Sequence, residues 1–326
     1  MRIEGFEVNG LHHRYTLAGE LNARVNILVG NNGSFKSTLL HILHAMLLSE
    51  KLQKKYEIDL AQIAMGKPEA AIAYRCLNGT VEQLQKRAID EDKVAEMLRQ
   101  VQQQLNIEQI PNVELGLEQY GYSLNKKGCN KEDLSALIHT DFISTFDVKQ
   151  QSDNRHSLLD IKLNDLQSQY SFYLSDLAKE MTDVIGREGT ISKDELDKIN
   201  ANKNLMLDFI NQAFDRTGKT IVSDKSRLTF KFDDEHEITS EALSAGEKQL
   251  LIILLTVLLE RENNCIVFLD EPEISLHIDW QYKLIDWLTQ LNPNAQFILT
   301  THSPGMFADG WGENIVYMDD VVRMTK

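Results

Sequence analysis

Short apolar runs near both ends of the chain predict the strands of a buried sheet. Val25 to Val29 is rich in β-branched and other apolar side chains, and residues 265–269 and 296–300 share this character. Parallel strands that are covered on both faces have continuous apolar runs of this kind. A helical pattern over 278–291 separates the last two runs. This order of strand, helix and strand predicts a parallel α/β sheet.

Through the middle of the chain, apolar residues recur at intervals of three and four positions, which predicts amphipathic helices. The pattern covers residues 81–105, 159–181 and 194–214. Each stretch is only three or four heptads long, so we expect a compact helical region rather than a long coiled coil. Residues 137–144 interrupt the pattern with a strand-like return to the sheet.

This change of pattern divides the chain into two parts. Residues 1–50 and 227–326 are predicted to form an α/β core. Residues 51–226 are predicted to form a mostly helical insertion, with one strand-like return near 137–145.

Composition and charge restrict the kind of protein further. The chain has 326 residues, of which 42% are hydrophobic and 25% charged, and these values are ordinary for a globular protein with a large core. The formal net charge of −15 argues against a broad nucleic-acid-binding face, because affinity for phosphate backbones comes mainly from clustered Lys and Arg. No signal peptide or membrane span is visible in the sequence. We therefore expect a cytoplasmic protein that does not enter a membrane.

A loop that contains glycine follows the first apolar run and runs Gly30-Asn31-Asn32-Gly33-Ser34-Phe35-Lys36-Ser37-Thr38. Between a strand and a helix, the backbone N–H groups of such a loop can converge on phosphate oxygens. Lys36 can reach the β- and γ-phosphates, and Ser37 can offer its hydroxyl to Mg²⁺. Phe35 occupies the position at which glycine-rich phosphate-binding loops usually have their last glycine. Its side chain is expected to crowd the turn or to restrict a backbone angle that glycine adopts freely.

Two further segments carry candidate chemistry. Asp270 and Glu271 end a buried run, at the edge where ligands of open α/β sheets bind. Asp270 can hold Mg²⁺ and Glu271 can orient or deprotonate water, although the pair alone would also fit a solvated acidic loop. Ser244 and Gly246 precede an apolar helix over 250–259. A hydroxyl cap with exposed N–H groups there predicts either an anion site or a simple helix cap.

Taken in order, five segments resemble the Walker A, signature, Walker B, D-loop and switch-histidine motifs of ABC-type ATPases. They are Gly30 to Thr38, Leu243 to Glu247, Phe268 to Pro272, Ser275 to His277 and Thr300 to Ser303. Their form resembles the RecF-like and OLD-like branch (AAA_15 and AAA_21 type), which includes ATPases of bacterial anti-phage defence systems. The resemblance covers roughly the first 50 and last 100 residues. It implies an α/β P-loop NTPase fold of the ABC head type, with a mixed sheet and a helical insertion between the Walker A and signature motifs.

The resemblance also implies a role for each site residue. Glu271 would act on the attacking water, His302 would contact the γ-phosphate, and Ser37 and Asp270 would bind Mg²⁺. Gln150 or Gln151 is the candidate for the metal-binding glutamine loop, and a surface glutamine is the alternative for either. Two further sets of residues would bind ATP. The set in the loop after the first apolar run is Asn31, Asn32, Gly33, Ser34, Phe35, Lys36, Ser37 and Thr38. The set that would contact the nucleotide of the opposite protomer is Ser244, Gly246 and Glu247.

This resemblance implies an ATPase that uses ATP and Mg²⁺. Its sites would be completed in a homodimer, or in a higher oligomer built from that dimer. Because Phe35 replaces the usual glycine, we expect turnover to be slow. The sequence ends 24 residues after His302, so we expect no nuclease domain of the OLD type in it. We expect instead a switch that regulates a separate effector, a nuclease or other toxic protein, in anti-phage defence. Two alternatives stay open. One is a RecF-like ATPase of DNA repair or chromosomes, and the other is an ATP-bound scaffold with little turnover.

Overall fold

The computed structural model describes residues 2–48, 52, 56–58, 60–66, 70–77, 119–125, 139–144, 157–222, 227–232 and 236–324. The chain divides into two compact units, which are Met1–Thr140 with Val316–Lys326, and Asp141–Ile315. The helix predicted over 81–105 and the candidate Gln150 lie outside the described residues.

The first unit combines a sheet with a helix that follows the loop at Gly30. Its elements are β1 (Arg2–Leu11), β2 (Tyr15–Glu20), β3 (Val25–Val29), α1 (Lys36–Leu47), β4 (Leu60–Gly66), β5 (Ala70–Leu77), β6 (Gln119–Asn125) and, near the end of the chain, α7 (Met318–Val321) and β14 (Val322–Met324). Six of the strands form one sheet in the order β14-β2-β1-β4-β5-β6. Every neighbouring pair in it is antiparallel.

Strand β3 carries the chain into the loop at Gly30. Val25, Ile27 and Leu28 are fully buried, as the apolar run predicts. Asn26 is buried as well, and its side chain accepts a hydrogen bond from the Asn22 N–H (2.6 Å) and donates one to the Asn22 carbonyl (3.0 Å). A buried amide is stable only when its polar atoms are paired in this way, so the two bonds hold the start of the strand to the backbone of Asn22.

The second unit contains most of the helices. Its elements are β7 (His139–Ser144, which begins in the first unit), α2 (Leu158–Glu188), α3 (Lys193–Ile199), α4 (Ala201–Phe214), β8 (Lys219–Val222), β9 (Thr229–Phe232), β10 (His236–Thr239), α5 (Ala245–Leu259), β11 (Cys265–Asp270), α6 (Ile278–Leu291), β12 (Gln296–Thr301) and β13 (Ile315–Tyr317, which ends in the first unit). Strands β8, β9 and β10 form a small antiparallel sheet.

Strands β11 and β12 are adjacent and parallel, with Ile266 opposite Gln296 and Asp270 opposite Thr300. Every residue of both strands is buried, and α6 lies between them in the chain. The predicted order of strand, helix and strand is confirmed. Because parallel neighbours end at the same sheet edge, the residues after Asp270 and after Thr301 lie side by side.

The helix predicted over 159–181 is confirmed and extends to Glu188. It begins at a capping box in which Ser157 accepts from the Asp160 N–H, and it ends at Gly189, whose φ of 76° is in the left-handed region. The helix predicted over 194–214 is two helices, α3 and α4. They meet at Asn200, whose side-chain amide donates to the Leu196 carbonyl (2.8 Å) and so ends α3.

Strands β4, β5 and β6 lie within the segment predicted to be mostly helical. In β4 the low β-propensity residues Ala61, Ala64 and Gly66 outnumber the single β-branched residue Ile63, so local sequence gives little strand signal there. The strand predicted near 137–145 is confirmed as β7. The domain boundaries at 50 and 227 stay a prediction.

Candidate functional site

The loop between β3 and α1 has two left-handed residues. Gly33 has a φ of 80°, which glycine adopts without strain. Phe35, immediately before α1, has a φ of 68° and a ψ of 19°. Position 35 therefore has a backbone angle that glycine adopts freely, and the chain adopts that angle with a phenylalanine.

The ring of Phe35 packs against two other rings of the first unit. Its centroid lies 4.9 Å from that of Tyr15 and 6.0 Å from that of His12. Aromatic pairs at these distances and tilted angles attract each other beyond the area that they bury. These contacts give a physical reason why a bulky side chain is accepted at this position.

Lys36 is directed into the loop rather than into solvent. Its side chain is buried, and its ammonium donates to the carbonyls of Gly30 (2.9 Å) and Asn31 (3.2 Å). The loop is closely packed at its start, since a Cβ on Gly30 would lie 2.7 Å from the Ser34 hydroxyl. The lysine charge is thus held beside the backbone N–H groups that would bind phosphate.

In the second unit, Asp270 and Glu271 leave the end of β11. The hydroxyl of Thr300 donates to Asp270 Oδ1 (2.7 Å) and accepts from the Glu271 N–H (2.9 Å). Asp270 is buried, and Glu271 has a φ of 49°, an unusual angle for a residue with a side chain. One threonine on the neighbouring strand therefore fixes both acidic residues.

Glu271 and His302 face each other across the ends of β11 and β12. Glu271 Oε1 lies 3.3 Å from His302 Nε2, with side chains 17% and 38% exposed, respectively. A partly exposed carboxylate next to an imidazole can accept a proton from water and stabilise charge that develops nearby. Sequence reasoning selected both residues, and the structure brings them together.

Sequence reasoning missed Glu273, two residues after Glu271. Its Oε1 accepts hydrogen bonds from the Thr301 hydroxyl (2.6 Å) and from the His302 N–H (2.9 Å). The Asp-Glu-Pro-Glu segment was visible in the sequence, but spacing alone does not show that the second glutamate reaches the neighbouring strand.

The segment that resembles the signature motif begins α5 with a capping box. Ser244 accepts from the Glu247 N–H (3.3 Å), and the Glu247 carboxylate accepts from the Ser244 N–H (2.8 Å) and from Lys219 Nζ (2.7 Å). Burial raises the pKa of Glu247, but the hydrogen bonds from Lys219 and Ser244 outweigh it, and the pKa lies below its ordinary value. The capping expected of Ser244 is confirmed, and the Glu247 carboxylate bonds to residues of the same chain. The contacts of Ser244, Gly246 and Glu247 with nucleotide stay a prediction.

Gly246 touches the segment that resembles the D-loop. A Cβ at this position would lie 2.2 Å from the Ser275 carbonyl oxygen, which no real structure tolerates. Ser275 itself has a φ of 69°. The first turn of α5 and the loop after β11 are therefore in direct backbone contact, which only glycine permits.

The predicted site residues fall in both units. The residues from Asn31 to Thr38 lie in the first unit, whereas Ser244, Gly246, Asp270 and the Glu271 to His302 pair lie in the second. Among the described residues, no group of three or more His, Cys, Asp or Glu side chains could hold a metal ion. The described part of the chain also has no helix that is both long and apolar enough to cross a membrane.

A known protein family matches residues 95–308 of the chain. The family is described as "AAA domain, putative AbiEii toxin, Type IV TA system". The match extends over more than half of the chain and includes the segments that carry Ser244, Asp270 and His302.

Curated proteins that match over shorter segments include the following two. "Retron Vc95 probable ATPase" of Vibrio cholerae serotype O1 biovar El Tor is 34% identical over 96 residues, covering 26% of this chain and 19% of the relative. "Septu protein PtuA" of Bacillus thuringiensis is 34% identical over 83 residues, covering 22% of this chain and 21% of the relative. The matches thus span only about a fifth of each relative's length.

Solved structures of Smc head domains share the fold. A head bound to the C-winged helix domain of ScpA has a TM-score of 0.53 at 14% identity, covering 100% of this chain and 98% of that one. A head with an extended coiled coil, bound to the C-terminal domain of ScpA derived from Pyrococcus furiosus, has a TM-score of 0.50 at 15% identity, covering 99% and 95%. The fold is therefore that of a P-loop ATPase head, an α/β fold with mixed sheets.

Proposed function

The chain belongs to the AAA_21 family of AAA domains, and on that premise we propose that it binds and hydrolyses ATP with Mg²⁺, dimerises over the bound nucleotide, and so switches a separate effector in bacterial anti-phage defence.

The contact between Glu271 and His302 carries the catalytic part of the proposal. Glu271 lies partly exposed at a sheet edge, with its Oε1 3.3 Å from His302 Nε2. In this arrangement Glu271 orients and deprotonates the attacking water, while His302 stabilises the charge that develops on the transferred phosphate.

The donor chemistry of the chain fits Mg²⁺. Magnesium in phosphoryl-transfer sites is held by one or two oxygen donors of the protein together with substrate phosphates and water, so a cluster of three acidic side chains is not required. The Ser37 hydroxyl and the Asp270 carboxylate are donors of this type, and Gln150 is the third candidate. Bound there, Mg²⁺ would neutralise charge on the phosphates.

Phosphate release from Mg-ATP tests this function. We expect slow release by the wild-type chain and none by Lys36→Ala, because the β- and γ-phosphates lose their cation. Glu271→Gln is the matched variant, since it keeps the size of the side chain and removes the base. It should bind a fluorescent ATP analogue with unchanged affinity and release no phosphate. If the wild-type chain released phosphate no faster than Glu271→Gln, the proposed ATPase activity would be contradicted and an ATP-bound scaffold would be favoured.

The defence role rests on the family and on the names of the two relatives, a retron ATPase and a Septu protein. The binding of ATP would favour the dimer, and hydrolysis would return the chain to its other state. Co-expression of the protein with the product of the neighbouring gene is the direct test. We expect the neighbouring gene to encode a nuclease or other toxic protein. Its toxicity should be suppressed by the wild-type chain and restored when Lys36→Ala replaces that chain. A neighbouring repair or replication gene would contradict the role.

A further inference from the structure

Glu273 is a buried carboxylate whose two oxygens have different surroundings. The residue is only 7% exposed. Oε1 accepts two hydrogen bonds, from the Thr301 hydroxyl and the His302 N–H. Oε2 is buried and has no hydrogen-bond partner within the described ranges. The only bonds that this carboxylate is seen to make are therefore directed at the end of the neighbouring strand.

Two hydrogen-bonded connections join the ends of β11 and β12. In the first, Thr300 of β12 bonds to Asp270 and to the Glu271 N–H. In the second, Glu273 of the loop after β11 bonds to the two residues that follow Thr300. The first connection fixes the backbone of Glu271, and the second fixes the backbone of His302. Together they determine the separation between the two side chains that face each other.

A carboxylate is a costly choice for a purely structural role at this position. Burying an ionised group is expensive unless it is paired and hydrogen-bonded, and Oε2 lacks a protein partner among the described residues. A charged acceptor, however, forms shorter and stronger hydrogen bonds than a neutral amide. A buried group that does not optimise stability, such as this carboxylate, is expected where function requires a fixed geometry.

We propose that Glu273 is a positioning residue that holds the backbone of His302, and through it the imidazole, in line with Glu271. This inference rests on the proposed ATPase function for its effect on rate. The geometric part concerns only Glu273, Thr301 and His302.

Steady-state kinetics of the full chain test the effect on rate. Glu273→Ala should lower kcat by about 10- to 100-fold, the range seen when a group that orients an active-site ligand is removed, and should leave the KM for ATP within about twofold. Thr301→Val is the graded control, because it removes one bond to the carboxylate and leaves the bond from the His302 N–H. Its kcat should lie between those of the wild type and Glu273→Ala. An unchanged kcat in Glu273→Ala would overturn the proposal.

NMR spectra of protein labelled with ¹³C-histidine test the geometry independently of activity. The chain has nine histidines, and the signal that is missing in His302→Ala identifies His302. In Glu273→Ala this signal should shift while that of His41 stays in place. An unchanged His302 signal overturns the inference, even if the wild-type chain releases no phosphate and the proposed function fails. If the alanine variant does not fold, Glu273→Met, which fills a similar volume and cannot accept either hydrogen bond, is judged by the same criteria.

Discussion

At the scale of the residue, Phe35 combines an unfavourable backbone angle with favourable ring contacts. A residue with a Cβ costs roughly 1–2 kcal/mol in the left-handed conformation, and Phe35 has a φ of 68°. Its contacts with Tyr15 and His12 offset part of that cost. These two contributions can be separated by substitution. Phe35→Ala removes the ring and keeps the strain, whereas Phe35→Gly removes both.

We therefore expect Phe35→Ala to be less stable than Phe35→Gly by about 1 kcal/mol in urea unfolding. Phe35→Gly should retain ATP binding, measured with a fluorescent analogue, and should raise turnover, because the loop regains the freedom of a glycine. Equal stabilities of the two variants would show that the angle is not strained. Loss of ATP binding in Phe35→Gly would show that the ring supports the site.

Phe35 and Glu273 also show what a sequence can predict about single residues. The angle at position 35 follows from the local pattern of the loop, because the turn before a helix imposes it whatever residue is present. The role of Glu273 depends on a strand that is 28 residues away in the chain, and no local pattern specifies that contact. That Glu271 and His302 belong to one site could be predicted only from the resemblance to a known family.

At the scale of the element, two glycines of the described α-helices, Gly246 and Gly186, make a matched pair. A Cβ on Gly246, in the first turn of α5, would overlap the Ser275 carbonyl, whereas one on Gly186 in α2 would meet no atom within 4 Å. We expect Gly246→Ala to displace the loop after β11, to lose about 1–3 kcal/mol of stability and to lower turnover. Gly186→Ala should gain about 0.5 kcal/mol, because alanine favours a helix.

Urea unfolding and phosphate release measured on both variants check this prediction. Overlap with backbone cannot be relieved by rotating a side chain, so some movement of residues 271–276 is required. If Gly246→Ala matched the wild type in both stability and turnover, the first turn of α5 would not be in contact with that loop. A loss of stability in Gly186→Ala would point to an effect of alanine itself rather than of the contact.

Elements defined by local signals were predicted well, and those defined by distant pairing were not. Strands β11 and β12 and helix α6 follow from apolar runs and a 3.6-residue period, because each is buried on a continuous face. Strand β4 pairs with β1 more than fifty residues away, from Arg2 opposite Gly66 to Asn9 opposite Leu60. Apolar residues lie on both of its faces and Gln62 is its one polar residue, so the sequence lacks the alternation that would reveal the pairing.

At the scale of the whole molecule, the net charge makes the proposed dimer dependent on salt. Each chain carries a formal charge of −15, so association brings like charges together. Salt screens this repulsion, since the Debye length falls from about 10 Å at 0.1 M to about 3 Å at 1 M ionic strength. Binding to duplex DNA has the opposite dependence, because it is driven by release of counterions and weakens as salt rises.

We expect Glu271→Gln with Mg-ATP to change from the monomer mass of 37.3 kDa to about twice that value, with a dimer fraction that rises with NaCl concentration. Light scattering after gel filtration measures both quantities, and Lys36→Ala is the control that should stay monomeric. A monomer at every salt concentration with saturating ATP would contradict the dimer. A dimer that salt dissociates would mean that opposite charges meet across the interface and outweigh the net repulsion.

Duplex binding that persists at physiological salt would instead favour the repair ATPase, because it would require a basic groove that the net charge conceals.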